Sequence, residues 1–168
     1  MKKRNTFFIH TLIFTLLLSS WDGFSQTSSF ITVEGEVLKP LKLTVDNLLK
    51  YTQTEIVAKG KDDKEHKYTG VRLIDVLDSA GVTLGSKLRG ENLAKYVLVK
   101  AIDGYKVTFT LAEIDPEFTD QTILLAYKED GNPLKKGEGP FRMIVPKDKK
   151  HARWIREMST IKILFSKE

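Results

Sequence analysis

Lys95-Tyr96-Val97-Leu98-Val99-Lys100-Ala101-Ile102-Asp103-Gly104-Tyr105-Lys106-Val107-Thr108-Phe109-Thr110-Leu111 is the stretch on which the fold turns. Tyr96–Val99 is a short apolar run of the kind found in a central strand. Asp103-Gly104 is a two-residue hairpin signal, because glycine and aspartate tolerate the left-handed backbone such turns require. After it Tyr105, Val107, Phe109 and Leu111 alternate with Lys106, Thr108 and Thr110, which predicts a half-buried strand with the tyrosine on the apolar side. The stretch therefore reads as an antiparallel hairpin, and Thr110-Leu111-Ala112-Glu113 closes it with a capping box and a short helical turn that Pro116 ends.

Toward the N-terminus, Val71–Ala80 predicts a helix with Leu73, Ile74, Leu77 and Ala80 on one face and Gly81 as its left-handed stop. Thr54–Lys59 and His66–Tyr68 read as the arms of a hairpin around the polar turn Gly60–Glu65. Phe30–Val37 alternates as a strand, Leu41–Leu43 is short and extended, and Thr44 caps a helix over Val45–Tyr51. Toward the C-terminus, Ile123–Lys128 is a strand closed by the turn Glu129–Pro133. Phe141–Val145 alternates again, a helical turn is expected over Arg153–Met158, and Ile161, Ile163 and Phe165 end the chain as a strand. Seven to nine strands with two or three short helices predict an α+β fold with a mixed, mostly antiparallel sheet.

The first residues stand apart from this domain. Met1-Lys2-Lys3-Arg4 is a positive start, and Thr6–Ser20 holds nine large apolar residues among fifteen positions. That is too short for a good membrane span and suits the apolar region of a secretory signal. Gly23-Phe24-Ser25 is a small-x-small site, which places cleavage before Gln26, divides the chain into a signal at 1–25 and a single domain at 26–168, and predicts a periplasmic or secreted protein. The alternative is an uncleaved anchor, which would be the only membrane attachment.

Composition narrows the chemistry. The 168 residues are 41% hydrophobic and 29% charged, as in an ordinary globular domain. No cysteine is present, which excludes disulfides, thiolate zinc sites, iron–sulfur clusters and a cysteine nucleophile from this chain. No serine sits in a G-x-S-x-G elbow, no H-E-x-x-H helix exists, and no glycine loop of the phosphate-cradling type occurs. Asp62-Asp63 and Glu129-Asp130 sit beside glycines, where turn chemistry explains them, and His66 between Glu65 and Lys67 reads as an exposed strand residue.

Charge is concentrated in one place. The chain carries +5, residues 1–25 hold three bases and one acid, and +3 remains on the domain. Arg142, Lys147, Lys149, Lys150, Arg153 and Arg156 stand against Asp148 alone, a local +5. Such a cluster points to a local anion: phosphate, carboxylate, sulfate or lipid headgroup. Nucleic acid is not expected, because no binding motif interleaves aromatics with the cluster. The other reading is a solvated loop of scattered lysines. Trp154 and Ile155 would anchor the loop to the core. The alternation puts Arg142 opposite Phe141 and Met143, either at the surface or turned toward the site.

Four segments then resemble, in order, the molybdopterin-binding domain of the sulfite oxidase-like oxidoreductases, especially short exported members. They are Tyr68–Leu77, Ile102–Val107, Leu125–Leu134, and Gly139–Pro146 with Arg153-Trp154-Ile155-Arg156. The resemblance implies a mixed α+β fold, redox chemistry with a protein partner, and a pterin cofactor whose phosphate is the anticipated anion. Carried over by position, Lys149, Lys150, His151 and Arg153 would hold the pterin, with Arg142 beside them. Catalytic members bind molybdenum through a cysteine thiolate before the segment matching Tyr68–Leu77, where this chain offers Thr54–Lys59. A thiolate is a soft ligand that hydroxyl or amine does not replace. Two readings follow: an exported molybdopterin-binding-like oxidoreductase domain that binds a pterin or another small anion through the basic loop, and a non-enzymatic envelope module that keeps the fold without the cofactor. A hydrolase with no visible motif is a third. Catalytic residues are not assigned, and no metal ligand set is predicted.

Overall fold

The computed structural model describes residues 30–166; the expected signal segment lies outside the described residues. The chain begins with β1 (Ile31–Gly35) and β2 (Leu41–Leu43), then α1 (Val45–Leu48). The Thr44 hydroxyl accepts from the Asn47 backbone N–H, and the Asn47 side chain accepts from the Thr44 backbone N–H. Thr44 caps the helix as expected, with Asn47 completing a capping box, but the helix ends at Leu48, three residues short. A hairpin follows from β3 (Thr54–Lys59) and β4 (Glu65–Arg72), leading into α2 (Leu73–Ser79).

Here the sequence reading needs correction. Val71 and Arg72 stay in the strand, because they pair with Leu125 and Leu124 across the sheet. The helix starts at Leu73 and buries Leu73, Val76 and Leu77, while Ile74 is half-buried. Gly81 ends it with φ 72°.

The central hairpin is β5 (Lys95–Ala101) and β6 (Lys106–Thr110). Its turn has three residues and not two. The Ala101 N–H donates to the Tyr105 carbonyl at 2.9 Å, and Gly104 takes φ 89°, the left-handed position of such a loop. Val107 and Phe109 are buried, whereas Tyr105 is half exposed and its hydroxyl donates to the Ala152 carbonyl. The Thr110–Glu113 capping box forms and starts a single 3-10 turn.

The chain continues through β7 (Leu124–Glu129), the two-residue β8 (Asn132–Pro133), β9 (Arg142–Ile144) and β10 (Met158–Phe165). Asp130 and Gly131 both have positive φ, 50° and 80°, as a tight two-residue turn demands. The helical turn expected over Arg153–Met158 lies upstream, at His151–Arg153. Beyond it Glu157 takes a positive φ of 46°, and the segment bonds to the Phe141–Met143 backbone instead of to itself. The Ile155 carbonyl accepts from the Met143 N–H and the Met158 N–H donates to the Phe141 carbonyl, so these two groups are not free for a helix over 153–158.

Among the described residues ten strands form two sheets, more strands than expected but the same class of fold. One sheet has the order β2-β1-β10-β5-β6. Among the described strands only β1 and β10 pair in parallel, and the chain between them is the crossover that a parallel pair requires. The other sheet runs β3-β4-β7, with β8 and β9 both on the far side of β7. Apolar residues of both sheets and of α2 form one core cluster, which includes Ile31, Leu77, Val99, Leu125, Met143 and Ile161. The fold is α+β with mixed, mostly antiparallel sheets. No described helix is long and apolar enough to cross a membrane.

Candidate functional site

Two turns and one strand of the second sheet enclose a hollow of about 430 Å³. The β3–β4 turn supplies Gly60, Lys61 and Asp62; β4 supplies His66 and Tyr68; the β7–β8 turn supplies Glu129 and Asp130. Lys135, Glu138 and Arg142 complete it from the approach to β9. The volume lies in the range of small-molecule sites.

Arg142 settles the alternative that the alternation left open. It is 4% exposed, with a side chain that lines the hollow. Nη1 donates to the Glu138 carboxylate. The guanidinium lies 5.6 Å from the Tyr68 ring and 5.7 Å from the Trp154 ring. Arginine stacks on aromatic faces while keeping its planar donors available. Among the described residues, Arg142 Nε is a buried side-chain nitrogen without a hydrogen-bond partner. Such an orphan donor is uncommon and calls for a physical explanation. Burial pushes the Tyr68 hydroxyl up, helped by its hydrogen bond to Glu129, so it remains a neutral donor.

His66 is not the exposed strand residue that the sequence suggested. Its side chain is 22% exposed and sits between two turns. Nδ1 is 2.7 Å from Asp130 Oδ2, and Nε2 is 3.1 Å from Asp62 Oδ1. Glu129 Oε1 is 3.8 Å from Nδ1. The hydrogen bond to Asp130, then that to Asp62, raises the His66 pKa above its ordinary value. The same bonds hold Asp62 and Asp130 below the usual carboxylate range. The spacing of Asp62 and His66 across a polar turn was visible in the sequence. Asp130 was not, since it stands 64 residues away and arrives only because β4 pairs with β7.

The residues assigned by resemblance do not gather in one place. Lys149 and Lys150 are exposed and lie outside this hollow. His151 accompanies Trp154 and Lys61 in a neighbouring hollow of about 240 Å³. Its Nε2 is 2.9 Å from the Lys59 carbonyl and its ring is 4.3 Å from the Trp154 ring. Lys61 borders both hollows. Arg153 is engaged within the fold. Nε and Nη2 donate to Asp148 at 2.8 and 2.7 Å, Nη1 donates to Glu113 at 2.7 Å, and the guanidinium covers the Phe109 ring at 4.7 Å. The structure therefore brings Arg142 to one hollow and His151 to the next, and leaves Lys149, Lys150 and Arg153 outside both. The 3-10 turn at His151–Arg153 points successive side chains about 120° apart. A linear count of charge also misses the partner Glu113, which comes from another turn.

A family model described as an oxidoreductase molybdopterin binding domain matches residues 62–166. Among solved structures, the sulfane dehydrogenase SoxCD from Paracoccus pantotrophus is similar, with 21% identity and a TM-score of 0.62. The match covers 80% of this chain and 37% of that one, so the likeness is one of fold with part of a larger protein. No curated protein matches the sequence.

The two halves of a molybdopterin cofactor fit these residues unequally. The organic half needs donors for its oxygens and phosphate and acceptors for its ring N–H groups. Arg142 Nε, Lys61 and Lys135 on one hand, and Glu129 and Asp130 on the other, supply both kinds. The metal half does not fit. The chain has no thiolate to offer, β3 ends at the rim of the hollow without one, and the described residues contain no group of three or more side chains suited to hold a metal ion. By its match over most of its length, the chain belongs to the oxidoreductase molybdopterin-binding domain family.

Proposed function

We propose that this chain is an exported ligand-binding domain that takes a pterin or a related small anionic heterocycle in the hollow above Arg142. The observation that carries the reading is a buried guanidinium with an unpartnered Nε beside a cavity of ligand size. Arginine offers an anion fixed, planar donors, and Lys61 and Lys135 add point charges at the rim. The carboxylates opposite accept hydrogen bonds from the heterocycle. Export to the periplasm or medium rests on the composition of residues 1–25. A protein redox partner belongs to the same reading.

A second reading is favoured by a specific observation: the chain lacks both a cysteine and a metal-holding cluster among its described residues. It is an envelope binding module that keeps the fold without redox activity. Elemental analysis of protein purified from its native compartment separates the two. Stoichiometric molybdenum supports the enzyme, and none in cells whose other molybdenum enzymes are loaded supports the module.

Fluorescence titration with pterin-6-carboxylate tests the site. Arg142→Gln should weaken binding about tenfold or more, from the loss of one charge-assisted contact. Because that change also leaves Glu138 unpaired, Lys61→Ala with Lys135→Ala serves as the second variant and should weaken binding several-fold without loss of fold. Lys149→Ala with Lys150→Ala tests the basic loop. If that pair abolishes binding while the hollow variants leave it intact, the ligand sits on the loop and the hollow is not the site.

A further inference from the structure

We propose that His66 is a positioning residue of the hollow, an imidazolium clamp that fastens the β3–β4 turn to the β7–β8 turn and so holds one wall in a ligand-ready shape. The clamp rests on the reading of the hollow as a ligand site. The wall consists of two short turns from separate hairpins, and no strand pairing joins Asp62 to Asp130. The bridge between them is one side chain, with Asp130 Oδ2 at 2.7 Å from Nδ1 and Asp62 Oδ1 at 3.1 Å from Nε2. Two carboxylates accept at both ring nitrogens only when both carry protons, so the geometry selects the charged ring.

Asp62 is tied back to its own turn, where Oδ1 accepts from the Lys64 N–H at 3.2 Å. Asp130 is held against β4: Oδ1 accepts from the Lys67 N–H at 2.9 Å, and the Asp130 N–H donates to the Lys67 carbonyl at 2.8 Å, so the imidazole is what extends this anchorage to the β3–β4 turn. Gly60 lies so close that a Cβ there would stand 2.8 Å from both Asp62 Oδ1 and His66 Cδ2, so a side chain at that position would push the carboxylate or the ring aside. The groups facing the imidazole are Asp62 from the first turn, Asp130 and Glu129 from the second, and the Tyr68 ring at 6.3 Å on its own strand. Lys61 is the cation on the same rim.

The sign of the pH dependence follows. The His66 pKa is raised, so the clamp holds below that value and is released as pH rises through it. The pKa values of Asp62 and Asp130 are lowered, so the clamp is also lost in acid as pH falls through theirs. It is closed between these limits.

The test has two arms on the full chain. Nitrogen NMR of the His66 ring should find both nitrogens protonated below the titration midpoint, and that midpoint above 6.5. The amide signals of Lys64 and Lys67 should shift with the same midpoint. A midpoint at or below 6.5, or amides that ignore the titration, overturns the clamp. The second arm measures pterin-6-carboxylate affinity from pH 6 to 9 in the wild type and in His66→Asn, using their ratio to cancel titration of the probe. The wild type should bind several-fold more tightly at pH 6 and equally at pH 9. Asp130→Asn, which keeps an acceptor for Lys67, should behave like His66→Asn. A ratio that does not vary with pH overturns the positioning role even if the NMR arm succeeds. No binding by the wild type at any pH, with the NMR arm as expected, refutes the ligand reading and with it the positioning role, while the bridge itself stands.

Discussion

Replacing Arg153 with alanine should cost stability, although the residue sits in a charged loop where substitutions are ordinarily mild. The side chain is 30% exposed and makes three charge-assisted hydrogen bonds, two to Asp148 and one to Glu113. A buried bond of that kind is worth about 1.5–3 kcal/mol, and an exposed pair about 0.2–1 kcal/mol. Partial exposure places this group between the limits, and its cover over Phe109 adds a fraction more. The whole side chain should contribute about 2 kcal/mol. With a urea slope of roughly 2 kcal/mol per molar, the unfolding midpoint should fall by about 1 M at pH 7. The pH dependence gives a second check. Burial works to raise the Glu113 pKa, but the hydrogen bonds from Arg153 and Thr110 outweigh it and hold the group below 4.5. A depressed carboxylate stabilises above its unfolded value and loses that contribution as pH falls through its folded one. The gap between wild type and variant should therefore be full at pH 7 and narrow below pH 4.5. A midpoint shift under about 0.2 M at pH 7, or a gap that persists unchanged into acid, would refute the assignment of Arg153 to the fold.

Trp154→Ala should destabilise by about 3–5 kcal/mol, since the ring is 4% exposed, its N–H donates to the Val145 carbonyl at 2.8 Å, and Tyr68 packs edge-on against it. Chemical unfolding measures this, and a loss under about 1 kcal/mol would mean the ring is not a core anchor. Gly70→Ala should cost about 1–3 kcal/mol by overpacking, because a Cβ there would stand 2.2 Å from the Leu125 carbonyl oxygen at the register shift between β4 and β7. An unchanged Tm would show that the sheet yields at that point.

Arg142 and Arg153 show why the site was only partly legible. Both were read as cations available to an anion, from the same local excess of charge. Spacing could place Arg142 opposite Phe141, but it could not say that Tyr68 and Trp154 would cover that face. Nor could it say that Glu113 would reach Arg153 from 40 residues away. His66 was passed over because half of its environment, Asp130, belongs to another hairpin.

Local physics determined much of the rest from sequence alone. The helix cap at Thr44, the capping box at Thr110, the left-handed stop at Gly81, the tight turn at Asp130-Gly131 and the strands around them form where residue chemistry placed them, because each depends on neighbours within a few positions. The four segments that carried the resemblance were likewise enough to identify the family. Only the tertiary structure decided that β1 runs parallel to β10, that β8 and β9 share one edge of β7, and which charges face a cavity. Those outcomes depend on which distant strands meet, and a one-dimensional pattern fixes the face a side chain takes without fixing what lies across from it.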